Sequence, residues 1–217
     1  MRKKAIIITC LILISVLLCS CSRGCACSCK KDKTNPFDEF VNIIYSSEES
    51  LKGFNEETTI KDGEMVIYSK SNNMKLDRGD NVKTEVNIIE KKLSTKGDVV
   101  YDETITSYTT VDNVKYTVLD GVTYENEYVI PTYYLTFVLS SEFLQEGYTF
   151  ENNENNYKLV AKVIDNKIGS LFLNKSLGNL TNMTIEIVVE NSKLVSFNAS
   201  YTTTNGFDAQ IQTTYNY

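Results

Sequence analysis

The chain has 217 residues, with 22 Lys/Arg against 28 Asp/Glu, and it contains neither His nor Trp. Apart from a leader, that length holds one domain of ordinary size, and the lack of His removes the commonest neutral-pH acid–base group and metal ligand. Seven of the 22 basic residues but one of the 28 acidic ones fall in residues 1–35, which leaves 15 against 27 and a net charge of −12 beyond them; a body so acidic excludes nucleic acid as a partner, because that binding rests on neutralising phosphates.

The N-terminus is the most informative stretch. Arg2, Lys3 and Lys4 precede an almost wholly apolar run, Ala5–Leu18, closed by Leu18-Cys19-Ser20-Cys21. A charged start, a short apolar core and a small residue before the cut describe a secretory signal peptide. A cysteine directly after that small residue resembles the bacterial lipobox, in which the cysteine receives a diacylglycerol and becomes the mature N-terminus. Cys21 fits best, with Ser20 before it and Leu18 three back. Leu18 is too bulky to precede a lipidated Cys19, and Arg23 is out of place before Cys25. The apolar run is short of the roughly 20 residues that cross hydrocarbon comfortably; including Cys19–Cys21 brings it near the lower limit, so an uncleaved anchor is the alternative. The expected organisation is a signal peptide over 1–20, a lipidated, Cys-rich basic neck over 21–34, and a single β-rich extracytoplasmic domain over 35–217. All six Cys precede residue 30, so the domain needs no disulfides. Cys25, Cys27 and Cys29 lack the fourth ligand of a structural metal site, and no metal or cofactor is expected.

Asn35-Pro36-Phe37-Asp38-Glu39 is a helix start, with a capping Asn, Pro at the first helical position and acids at the positive end of the dipole. Phe37, Phe40, Val41 and Ile44 then share one stripe, and the helix is expected to reach about Leu51. From Met65 the period becomes two. Val82, Thr84, Val86 and Ile88 alternate with polar residues, and Tyr116 and Val118 lead to Asp120-Gly121, a type I′ hairpin pair. Val122 and Tyr124 lead away from it. Ile185, Ile187 and Val189 run to a turn near Glu190-Asn191; Val195, Phe197, Ala199 and Tyr201 return; Ala209, Ile211, Thr213, Tyr215 and Tyr217 make a last strand. Such alternation indicates antiparallel strands with one dry face and one wet, and short sequential links suggest a meander. Leu135–Gln145 and Ile168–Leu180 read as helices, the second carrying Leu173, Leu177 and Leu180 on one face. Asn152–Asn156 reads as a polar loop. The fold class is α+β, mostly β: a curved antiparallel sheet, half-barrel-like, with an N-terminal helix and one or two short covering helices.

Order and pattern together resemble the periplasmic lipoprotein-carrier (LolA-like) fold and the LppX/LprG-type lipoproteins. The resemblance is carried by the capped helix at Asn35–Leu51, the late run Thr184–Tyr201 and the ending Ile211–Tyr215. It implies a curved antiparallel sheet closed by short helices around an apolar cavity for acyl chains, and it carries over no individual residue.

Other motifs read as ordinary surface chemistry. Arg78-Gly79-Asp80 spells an adhesion tripeptide but suits a turn. The acidic pairs Asp38-Glu39, Glu48-Glu49 and Glu56-Glu57, with Glu125 and Glu127, read as solvated charge. Without His, a Ser or Thr nucleophile has no evident base, and no enzyme is expected. Tyr108, Tyr116, Tyr124, Tyr128, Tyr133 and Tyr134 line a pocket on one reading and fill a core on the other. The expectation is a non-catalytic lipoprotein held by lipid at the extracytoplasmic face of the cell membrane. It binds a lipid or other amphiphile between sheet and helices, with Phe37, Phe40, Val41, Ile44, Leu173, Leu177 and Leu180 as hypothetical lining. The alternative is a surface interaction or adhesion lipoprotein with a filled core; no protein partner is named by the sequence.

Overall fold

The first helix among the described residues, α1 (Pro36–Ser47), starts where its capping residues place it: the Asn35 side chain accepts a hydrogen bond of 3.1 Å from the Phe37 amide. This is a computed structural model, and it describes residues 35–80, 82–94, 101–111, 113–119, 122–127, 134–172 and 180–217. The expected signal peptide, Cys21 and the neck lie outside those residues, as do the Asp120-Gly121 turn, Leu173 and Leu177. The helix ends earlier than its expected limit. A 3-10 turn, Glu48–Ser50, follows it, and the chain is extended by Leu51.

Among the described residues, eleven strands form one antiparallel sheet. They are β1 (Gly53–Asp62), β2 (Met65–Asp77), β3 (Lys83–Leu93), β4 (Tyr101–Val111), β5 (Val114–Leu119), β6 (Val122–Glu127), β7 (Thr149–Asn153), β8 (Asn156–Lys162), β9 (Leu180–Glu190), β10 (Lys193–Thr203) and β11 (Asp208–Asn216). Their spatial order is β6-β5-β4-β3-β2-β1-β11-β10-β9-β8-β7. The sheet is curved and unclosed, with β6 and β7 as its edges. It is therefore two meanders rather than one, joined by the pairing of β1 with β11. The first and last of these eleven strands meet in the middle of the sheet.

Local chemistry accounts for the hairpins. Asn191 and Ser192, between β9 and β10, have φ of 52° and 59°, the left-handed pair that a type I′ turn demands. Leu119 pairs with Val122, which leaves two residues for the β5–β6 connection. The expected polar loop at Asn152–Asn156 is mostly strand, with its turn confined to Glu154-Asn155 between β7 and β8. Irregular register between Leu194 and Ser196 shifts the phase of β10. Leu194 and Phe197 are consequently buried, whereas Val195 leaves the dry face on which simple alternation puts it. Such bulges also increase the twist of the sheet.

Two expected helices are corrected. Leu135–Gln145 is mainly extended: Leu135, Phe137 and Leu139 are buried at alternate positions, Phe137 pairs with Phe172, and only Ser141–Phe143 coils as a 3-10 turn. Among the described residues of the second stretch, the helix is α2 (Ile168–Leu171), and Phe172 after it is already extended. Leu180 opens β9 instead of ending a helix, and it is buried opposite Thr203. The reason is tertiary. The Val138 amide donates to the Leu171 carbonyl at 2.7 Å, so the residue after α2 is drawn into backbone pairing with the 134–139 segment.

The core lies over the C-terminal half of the sheet. Phe197 is fully buried, stacked on Phe137 at 4.3 Å between ring centroids and met edge-on by Phe172 at 5.8 Å. Replacing Phe197 with Ala should cost about 3–5 kcal/mol in chemical denaturation. Gly53, at the entry to β1, has φ of 151°, and a Cβ there would run into the Met74 carbonyl oxygen. Gly53→Ala should therefore destabilise by about 1–3 kcal/mol or more, whereas Gly63→Ala, where a Cβ meets nothing within 4 Å, should cost less.

Candidate functional site

Alternation along the strands sends every second side chain to the face that α1 covers, and cross-strand register lines these up. One such row runs Leu159, Ile187, Phe197, Thr213, Glu56, Asn72 and Ile88, from β8 across to β3. The row changes character along its length. Leu159, Ile187 and Phe197 are completely buried and apolar, Thr213 and Glu56 are buried and polar, and Ile88 is half-buried.

The expected lining residues of α1 form the closed end of this inner face. Phe37, Phe40 and Ile44 are buried, and Val41 packs against the core from a half-buried position. They meet aromatic side chains: Phe40 lies 5.3 Å from Phe150 and 5.8 Å from Tyr157, and Phe37 lies 5.8 Å from Tyr148. Tyr45 secures the adjoining segment, because its hydroxyl accepts from the Leu139 amide at 3.1 Å and donates to the Leu139 carbonyl at 3.4 Å. The Tyr217 hydroxyl donates to Ser47 Oγ at 3.1 Å, tying the last residue to the end of α1.

Beyond this wall the inner face opens over β1–β4. Ile60, Ile88 and Tyr108 pack at the margin of the core while staying half-buried, and Tyr68 is half-buried beside them in register with Ile60. Polar groups are set into this apolar floor. Glu56 is 4% exposed and accepts from the Thr213 hydroxyl at 3.4 Å. The Asn72 side-chain carbonyl oxygen, opposite Glu56 in register, is buried without a hydrogen-bond partner among the described residues. The Thr84 and Thr110 hydroxyls share a hydrogen bond within the buried layer.

Sequence reasoning missed this strip because Glu56 and Glu48 look like members of exposed acidic pairs. In the fold each pair is split. Glu57 faces outward and accepts from Ser71 at 2.6 Å, while Glu56 is buried. Glu49 is exposed, while Glu48 is 9% exposed and accepts from the Tyr134 amide. The signal for Glu56 was present in the alternation Phe54, Glu56, Thr58, Ile60. Arg78 of the Arg-Gly-Asp tripeptide is used internally: it donates to the Glu48 carbonyl at 2.8 Å and lies 5.2 Å above the Tyr134 ring. Of the tyrosine series, Tyr134 is buried, Tyr108 and Tyr116 are half-buried and Tyr124 is exposed; Tyr128 and Tyr133 lie outside the described residues. Among the described residues no group of three or more Cys, Asp or Glu is placed to hold a metal, and no helix is long and apolar enough to cross a membrane.

The chain matches no family model, and it matches no curated protein. Among solved structures it is similar to the crystal structure of LprF from Mycobacterium bovis, at 11% identity over 82% of this chain and 92% of that one, with a TM-score of 0.36.

The tyrosines of the inner face report its dryness. Burial first, then the Glu90 carboxylate and Tyr201, push the Tyr68 phenol up to about 12. Burial and then Glu56 raise Tyr201, and burial raises Tyr215. In the unfolded chain a phenol ionises near about pH 10. A folded-state value above that leaves stability level below about pH 10 and erodes it as the pH climbs towards 12. We expect unfolding free energy to fall over that interval, and to fall less in Tyr68→Phe. Denaturation series at stepped alkaline pH, with tyrosinate absorbance followed in parallel, check this.

Proposed function

We propose that the chain is an exported lipoprotein, cut before Cys21, lipidated there and held at the extracytoplasmic face of a membrane. Its domain is non-catalytic and holds a lipid or other amphiphile against the inner face of the sheet. What supports the anchor is the sequence alone: the basic start, the apolar run and Ser20-Cys21. One acyl chain holds a protein marginally, and two or more hold it firmly. What supports the binding is the inner face, where the floor continues past the packed α1 wall into half-buried Ile60, Tyr68, Ile88 and Tyr108. Apolar floor with hydroxyls and a carboxylate at intervals suits a molecule that is apolar along its length and polar at one end.

The second reading is a surface interaction lipoprotein with a filled core. It is favoured by the packing beneath α1, where Phe37 and Phe40 already contact Tyr148, Phe150 and Tyr157.

Two measurements on the full chain, expressed in a bacterium that processes lipoproteins, decide between these outcomes. Radiolabelled palmitate should enter the wild type and not Cys21→Ala, and the variant should leave the membrane fraction. A variant that stays membrane-bound would falsify the anchor. Solvent extracts of both purified forms should carry co-purified lipid by mass spectrometry, depleted in Ile88→Glu. Extracts free of lipid from a well-folded protein would leave the interaction reading in its place.

A further inference from the structure

The opposite face of the sheet carries a second pattern. Asn55, Asn73, Asn87 and Ser107 stand side by side on β1, β2, β3 and β4. They are bonded in two separate pairs. The Asn73 amide donates to the Asn55 side-chain carbonyl, and the Ser107 hydroxyl donates to the Asn87 side-chain carbonyl at 2.8 Å. Between the pairs, the Asn73 carbonyl oxygen and the Asn87 amide nitrogen take no hydrogen bond among the described residues. An acceptor and a donor thus stand next to each other on neighbouring strands, where Cβ atoms are about 4.5–5.5 Å apart.

That break lies in a groove of about 290 Å³ lined by Asn73, Lys75, Asn87, Ser107, Tyr116 and Val118, among others. In the next row Lys75 stands opposite Glu85, Glu85 opposite Thr109, and Thr109 opposite Tyr116. The Glu85 carboxylate is engaged by Lys83 at 2.9 Å, a hydrogen bond that holds it below the usual carboxylate range. The rim charges are therefore of both signs, and neither sign dominates the groove.

We propose that this outer groove binds a neutral carbohydrate. Vicinal hydroxyls each donate and accept a hydrogen bond, so one can give to the Asn73 carbonyl while its neighbour receives from the Asn87 amide. The half-buried Tyr116 ring offers an electron-rich face to the polarised C–H groups of a sugar, and Val118 extends the apolar contact. Lys75 and Ser107 supply further polar groups at the rim. The volume sits at the lower edge of small-molecule sites, about 300–1,000 Å³, which suits a short saccharide. The balanced charges favour a neutral sugar over an acidic one.

The test uses the full chain in a detergent with no sugar head group. Maltose, cellobiose, lactose and N,N′-diacetylchitobiose serve as soluble probes in saturation-transfer NMR, and an immobilised array of neutral oligosaccharides widens the range. At least one should bind. Asn87→Ala and Tyr116→Ala should each weaken that binding by about ten-fold or more with an unchanged melting temperature. Tyr116→Phe should retain it, and Ile88→Glu on the other face should leave it alone. No binding by any neutral saccharide, or binding indifferent to Asn87→Ala and Tyr116→Ala, overturns the proposal.

Discussion

The pairing of β1 with β11 is the constraint on which the rest depends. Their register runs without a break from Gly53 opposite Asn216 to Lys61 opposite Asp208. Each meander alone would present a free edge with a row of unpaired amide and carbonyl groups. Joined, they make one surface, and only then does the chain have an inner face. The seam is reinforced from both sides: the Lys52 amide donates to the Asn216 carbonyl at 2.8 Å, and the Glu56–Thr213 hydrogen bond crosses it. Because the partners stand at opposite ends of the domain, this contact carries the largest loop-closure entropy in the sheet.

The seam also divides the inner face into two regimes. On the β8–β11 side, α1, the 134–139 segment and α2 bring in enough aromatic and aliphatic volume for Leu159, Ile187, Phe197 and Ile211 to lose all exposure. On the β1–β4 side the same rows continue with smaller burial and more polar groups. Glu56 stands at the change. A carboxylate so far from water must be hydrogen-bonded to be tolerated, and it is buried together with the Thr213 hydroxyl that donates to it.

Period-two geometry keeps the two faces chemically independent. Glu56 and Glu57 are neighbours in sequence, yet one lies in the floor of the inner face and the other bonds to Ser71 outside. Asn72 and Asn73 divide in the same way, the first in register with Glu56 and the second with Asn55. An amphiphile on one side and a saccharide on the other would therefore draw mainly on different residues of the same strands, with Tyr108 bordering both.

Much of this was legible locally. Asn35-Pro36 and the Phe37/Phe40/Ile44 stripe foretold α1, and the alternation of Ile185, Ile187 and Val189 foretold β9, because caps and side-chain periodicity depend on near neighbours. What the residues could not disclose locally was partnership. Leu135–Gln145 has the composition of a helix but takes an extended path, because Phe137 finds Phe172 across the core. Val195 left its face because β10 slips against β9, and β1 went unread because its alternating row contains Glu56. Backbone periodicity belongs to the sequence, since it is set by bonds a few residues apart. Burial and strand order belong to the tertiary structure, since both are decided by which distant segment arrives to cover or pair with each strand.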